Sequence, residues 1–125
     1  MFKRILAVSA VLGALGTLAT PLAAQARQGN EMTLTGTVID LNCYVAGGAT
    51  GANHKGCAEA CAKAGVQLGI LSSDGTIYVP VSSKAADPTN PKLLGNAEGK
   101  VKVTGTHRMT NGLHTIEVKT VEAAS

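Results

Sequence analysis

Alternation of polar and apolar residues marks the first regular element, a strand predicted over residues 32–45. Between Thr33 and Val38, threonines alternate with Leu34, Gly36 and Val38. A period of two puts the apolar side chains on one face of a strand. Gly36 interrupts this face and predicts a bulge or a sharp bend, as at the corner of a barrel.

A short helix is predicted next, over residues 54–64. Four alanines favour it, Asn53 offers a side chain that can cap its start, and Gly65 suits its end. The preceding residues 46–53 contain three glycines and are predicted to form a loop. A helix is therefore expected soon after the first strand.

Two hairpins are predicted in the rest of the chain. The segments 66–70 and 77–81 alternate again around a Ser-Ser-Asp-Gly turn at 72–75. The segments 101–105 and 116–118 flank Asn111-Gly112, a strong two-residue turn. The connection 84–99 holds prolines and glycines, with at most one helical turn at 92–94. The chain should thus form five strands.

Five short strands in a domain this small must close on themselves to hide their edges. We therefore predict a mainly β fold, a small five-stranded barrel with one short helix after strand 1. A single domain over residues 27–125 would contain all of it.

The runs Thr33–Asp40, Lys100–Thr106 and Thr115–Val118 resemble strands of small secreted bacterial domains of the OB-fold type. The resemblance implies a five-stranded barrel with a possible binding face, and it implies no activity. The chain departs from the usual OB arrangement at its helix. Its best predicted helix lies between strands one and two, whereas the OB helix joins strands three and four.

The first 26 residues have the features of a secretory signal peptide. Lys3 and Arg4 precede an apolar run from 5 to 18, and Ala24-Gln25-Ala26 fits the small-x-small cleavage pattern. The apolar run is shorter than the ~20 residues of a membrane-spanning helix. We predict cleavage after Ala26 and a periplasmic or secreted product without stable membrane insertion. The alternative is an uncleaved anchor.

Charge and composition argue against nucleic acid as a partner. Lys3 and Arg4 belong to the leader, so nine of the 11 basic residues remain against eight acidic ones. This near-neutral domain has no basic patch for a phosphate backbone. Tryptophan is absent, and Phe2, Tyr44 and Tyr78 are too few to stack bases.

Candidate chemistry is concentrated in Cys43, His54, Cys57 and Cys61. On a helix, His54 and Cys57 are three residues apart and Cys57 and Cys61 four, so all three project from one stripe. Cys43 ends the predicted first strand, and the glycine loop can return it to that stripe. Three thiols and an imidazole suit zinc or copper(I). We predict a metal-binding domain with these four ligands and no catalysis of its own.

Two other interpretations use the same cysteines. Cys57 and Cys61 have Cβ atoms about 5–6 Å apart on a helix, too far for a disulfide. Cys43 could bridge either one, which would stabilise the fold by about 3 kcal/mol and leave one thiol over. The protein would then be a disulfide-stabilised structural or interaction module with a protein partner. Alternatively, it would be a thiol-redox protein with Cys57 as the attacking thiolate.

A second candidate cluster lies on the last hairpin. With Asn111-Gly112 as the turn, Met109 faces His114, and His107 lies diagonal to His114 on the same face. Imidazole and thioether donors suit copper. The interpretation we favour is a polar hairpin tip in which Met109 covers the barrel mouth, because a slip of one residue would scatter the three side chains.

Overall fold

Five strands form a single sheet in the computed structural model, which describes residues 28–125. The predicted signal peptide, residues 1–26, lies outside the described residues. The strands are β1 (Asn30–Asp40), β2 (Leu68–Ser72), β3 (Ile77–Pro80), β4 (Lys100–Thr110) and β5 (Leu113–Ala123). The prediction of a mainly β protein with five strands is confirmed.

The sheet closes into a ring in the order β1-β2-β3-β5-β4, and β4 pairs back with β1. β1 runs antiparallel to both β2 and β4, and β3 runs parallel to β5. Gly36 lets β1 serve two partners, because it pairs with Ser72 of β2 and with Val101 of β4. A Cβ at Gly36 would lie 2.6 Å from the carbonyl oxygen of Leu71. The missing side chain at residue 36 therefore permits the close pairing of β1 with β2.

The β4–β5 hairpin has the predicted turn and pairing. Asn111 and Gly112 both adopt positive φ, 51° and 84°, as a tight two-residue hairpin turn requires. Met109 pairs with His114 across the strands. The register shifts between Thr104 and Gly105, which is where the sequence has its second mid-strand glycine.

Residues 28–125 contain three α-helices, which corrects the prediction of a single helix. They are α1 (Leu41–Gly47), α2 (Lys55–Lys63) and α3 (Asn90–Leu93). Short 3₁₀ turns precede α2 at Ala52–His54 and follow α3 at Leu94–Asn96. The predicted helix 54–64 corresponds to α2. Asn53 lies inside the first 3₁₀ turn rather than at a cap, and α2 begins without a side-chain cap.

The end of β1 is the main correction to the predicted fold. The strand stops at Asp40 instead of Val45, and Cys43 lies on α1. Asp40 ends the strand because its Oδ1 accepts a hydrogen bond from the Cys43 backbone N–H at 3.0 Å, as a helix cap does. Gly48, at φ 69°, ends α1 after two turns. A segment this short is too brief for its periodicity to be read from the sequence.

The inner face of the ring carries the apolar core. Alternate positions of the strands supply it, and Leu93 of α3 is fully buried against it. α2 packs against β1 and contributes two small buried residues, Ala58 and Ala62, the second of which belongs to the core cluster. The largest fully buried apolar side chains are Ile39, Leu68, Ile70, Leu93, Ile116, Val38, Val101 and Val103.

Candidate metal centre

Five candidate donor residues cluster where the chain leaves β1. Ligand atoms of Cys43, His54 and Cys57 lie within 4.8 Å of one another. Ligand atoms of Asp40, Cys43 and Cys61 form a second such group. Cys43 belongs to both groups, so the two are contiguous. Groups of this composition and spacing could hold a metal ion.

Cys43 reaches the cluster through α1, not through the glycine loop that was predicted to return it. The cap at Asp40 turns the chain directly from strand into helix. The Cys43 carbonyl then accepts a hydrogen bond from the Ala49 N–H at 3.2 Å, which fixes the helix end. The side chain of Cys43 is half-buried in this position.

Cys57 and Cys61 project from α2, one turn apart. The buried faces of Ala58 and Ala62 fix the rotation of this helix against the ring. Cys57, in the first turn, is exposed, whereas Cys61 is half-buried. The three cysteines are free thiols in the structure, so the predicted alternatives of a Cys43–Cys57 or Cys43–Cys61 disulfide are not formed.

Asp40 also belongs to the cluster, although it was not among the predicted ligands. Its side chain is completely buried. Oδ1 caps α1, but Oδ2 accepts no hydrogen bond of normal geometry among the described residues. A buried carboxylate oxygen without a partner is costly. The neighbouring thiols of Cys43 and Cys61 are the groups within 4.8 Å of this carboxylate.

Glu98 organises the exposed side of the cluster and was also missed. Its Oε1 accepts from His54 Nδ1 at 2.8 Å, while Oε2 accepts from Thr50 Oγ1 at 2.7 Å and from the Gly51 N–H at 2.8 Å. The Glu98 side chain is fully shielded from solvent, and that of His54 is 14% exposed. Because Nδ1 is engaged by Glu98, Nε2 is the free nitrogen of His54.

The backbone fixes Glu98 in this position. Its N–H donates to the Val38 carbonyl at 2.8 Å, and the Val38 N–H donates to the Gly99 carbonyl at 3.0 Å. Glu98 adopts a φ of 57°, a conformation that costs a non-glycine residue energy and tends to persist where the surroundings require it. No sequence feature links residue 98 to His54, because the contact spans 44 residues.

Burial and neighbouring charge hold the inner thiols in their protonated form. The nearby carboxylate of Asp40, followed by burial, raises the pKa of Cys61 to about 11. Burial raises the pKa of Cys43, and the negative charge of Asp40 adds to that effect. Burial acts to raise the pKa of Glu98, but hydrogen bonds from Thr50, His54 and Gly51 outweigh it and keep that pKa below its ordinary value.

The four predicted ligands are thus close in space but divided between the two groups. Cys43, His54 and Cys57 come together as predicted, and Cys61 joins Cys43 through the other group, with Asp40. His107 and His114 meet elsewhere, on the β4–β5 hairpin.

Among the described residues, no helix is long and apolar enough to cross a membrane.

No family model, curated protein or solved structure matches this chain. A function must therefore be argued from the residues of the cluster.

Proposed function

We propose that this chain is a metal-binding protein without catalysis of its own, which holds one zinc or copper ion with Cys43, His54, Cys57 and Cys61. The observation that carries the proposal is the hydrogen bond between Glu98 and His54 beside two thiols. Histidines that bind metals nearly always donate their second ring N–H to a carboxylate, a carbonyl or water. Glu98 provides that acceptor and leaves Nε2 free for an ion.

Burial of the glutamate separates this arrangement from an ordinary surface ion pair. The Glu98 carboxylate is fully shielded and accepts three hydrogen bonds, and its backbone adopts a positive φ. A histidine that only faced solvent would need no such partner. The cost of burying Glu98 is offset by holding His54 and the 50–51 loop in one orientation. Such preorganisation is what a metal site requires of its surroundings.

The donor spacing fits a small soft ion after minor adjustment. With zinc–sulfur bonds of about 2.3 Å, two sulfurs on one tetrahedral ion lie about 3.8 Å apart. Donors that already lie within 4.8 Å of one another need to move by about an ångström. Cys61, one helical turn beyond Cys57, can supply the fourth donor by rotating its side chain away from Asp40. Thiolate-rich sets select zinc or copper(I) over hard cations such as magnesium.

The fold and the predicted signal peptide support a carrier or storage role outside the cytoplasm. The ring order, the parallel β3–β5 pair and the short helix α3 between β3 and β4 support a barrel of the OB type. The predicted signal peptide supports export to the periplasm or beyond. The expected partner is a metal ion or a protein that exchanges one, with no role for nucleic acid.

Metal analysis of the full chain, purified without chelators, tests the proposal. We expect about one zinc or copper per chain and three thiols that react with a thiol reagent only after denaturation. His54→Gln should lower the metal content, whereas Lys55→Gln, at the exposed neighbouring residue, should not. Cys61→Ser should lower metal content and melting temperature together.

Two results would overturn the proposal in favour of its alternatives. One free thiol, no metal, and an equal loss of melting temperature by Cys61→Ser in metal-free protein would identify a structural disulfide. Rapid exchange of Cys57 with an added disulfide, in a chain that retains no metal, would identify a thiol-redox protein.

A further inference from the structure

The inner face of the ring changes from apolar to ligand-bearing toward one end. Along β4, the buried positions Val103 and Gly105 share a face with His107 and Met109, which lie two and four residues after Gly105. Along β5, the buried Ile116 is preceded two residues earlier by His114. Because strand side chains alternate between faces, these residues lie on the inner side at the mouth of the ring.

The two histidines are in direct contact there. His107 Nε2 and His114 Nδ1 lie 3.1 Å apart, and the rings are nearly parallel, with an interplanar angle of 14°. The ring of Tyr78 stands edge-on to both, with centroid distances of 5.5 Å and 5.4 Å. Met109 is paired directly with His114, which sets their Cβ atoms about 4.5–5.5 Å apart.

This spacing suits two ligands of one ion. With metal–nitrogen bonds of about 2.05 Å, nitrogens 3.1 Å apart subtend about 98° at the metal. That angle lies between the square-planar and tetrahedral values. Without an ion, two neutral imidazoles can form one N–H···N hydrogen bond, and two imidazolium rings at this distance would repel each other.

The surroundings favour a soft ion over a hard one. The charged pair Arg108–Glu117, at 3.2 Å, alternates to the outer face of the same strands. The inner face therefore offers imidazole nitrogens and the Met109 thioether, which is 49% exposed, rather than that carboxylate. Thioether and imidazole donors together suit copper(I).

We propose that the mouth of the ring is a second metal site, in which His107, His114 and Met109 bind copper(I). It is separate from the cysteine cluster, because Asn30 pairs with His107 at one end of β1 and Asp40 ends the strand at the other. Ten residue steps of strand correspond to about 30 Å. The proposal therefore does not depend on the function of the cysteines.

Anaerobic titration of the full chain with copper(I), against a chromophoric chelator, tests this second site. We expect two copper ions per chain, one of which disappears in the double variant His107→Phe/His114→Phe. Phenylalanine keeps a ring against Tyr78, and circular dichroism with thermal unfolding checks that the variant is folded. Met109→Leu, of similar size, should weaken the second copper at least tenfold. Cys43→Ser should remove the other copper and leave this one.

Imidazole proton resonances give an independent readout. The ring signals of His107 and His114 should shift with the copper ion that survives Cys43→Ser. Unchanged copper stoichiometry in a folded His107→Phe/His114→Phe variant would overturn the proposal. So would binding of zinc, but not copper(I), at these histidines. Failure of the cysteine site would instead appear as a Cys43→Ser variant with unchanged stoichiometry.

Discussion

Glu98→Gln tests how the cysteine cluster is organised, because it changes charge and hydrogen bonding with almost no change in shape. Thr50 and Gly51 both donate to Oε2, so the amide oxygen of glutamine must stay on that side. The amide NH₂ then faces His54 Nδ1, where Oε1 accepted before. His54 must respond by accepting at Nδ1 and carrying its proton on Nε2.

That exchange of tautomer removes the free nitrogen we assign to the metal. An ion can bind only if His54 returns its proton to Nδ1, opposite a donor. Loss of comparable partners of metal-binding histidines reduces affinity by about 10- to 100-fold. The free energy of binding should therefore weaken by about 1.4–2.8 kcal/mol. Folding of the metal-free protein should change far less, since the amide can still engage all three partners.

Competition with a zinc-specific chelator measures the affinity, and ¹⁵N chemical shifts of the His54 ring identify its tautomer. Glu59→Gln is the matched control, because Glu59 lies on α2 with Cys57 and Cys61. Its contact with Lys55, at 4.0 Å, is on the surface. It should leave zinc affinity unchanged. Wild-type affinity in Glu98→Gln, with the proton found on His54 Nε2, would refute the assignment of Nε2 as the ligand atom.

Four further outcomes are expected. In metal-free protein at pH 8, iodoacetamide should label exposed Cys57 before Cys61, whose pKa is about 11; mass spectrometry of the peptides will show the order. Gly56→Ala, with open space around its Cβ, should stabilise α2 by about 0.5–1 kcal/mol. Gly36→Ala should destabilise the fold by about 1–3 kcal/mol. Urea unfolding measures the change in both glycine variants. Because folding lowers the pKa of Glu98, its ionised form stabilises the fold above the ordinary pKa of 4.5, and this stabilisation is lost as pH falls through the pKa of the folded state. Glu98→Gln should therefore show a smaller loss of unfolding free energy below pH 4.5, measured by urea unfolding.

Local patterns were sufficient for much of the fold. The β4–β5 turn and register followed from Asn111-Gly112, because two-residue turns fix the pairing of their strands. Gly105 marked the register shift between β4 and β5, and Gly36 lies where β1 pairs with both β2 and β4. Helix α2 followed from its alanines and from Gly65, at φ 99°.

The first helix was missed for a physical reason. Leu41–Gly47 has two turns, and its start depends on a single hydrogen bond from the Asp40 side chain. An aspartate at that position reads equally well as a strand end. The resulting error moved Cys43 from a helix to a strand, although the predicted approach of Cys43 to His54 and Cys57 is found.

The partners of the cluster needed three-dimensional structure. Asp40 is buried because α2 and the ring enclose it, and Glu98 arrives from a turn far along the chain. No regular spacing of residues in the sequence indicates either contact. Likewise, the predicted hairpin register placed His107 and His114 on a shared face, but only the closed ring brings Tyr78 against both rings.

The candidate donors from Asp40 to Cys61 lie in one continuous stretch of chain, and only Glu98 comes from a distant segment. A denatured chain therefore keeps its sulfurs near one another and competes for the same soft ions. Affinity of the denatured state subtracts from the stabilisation that a bound ligand confers. The rise in melting temperature on adding zinc should thus underreport the true affinity, and the difference between native and denatured affinities measures what the folded arrangement of the cluster, with its buried glutamate, contributes.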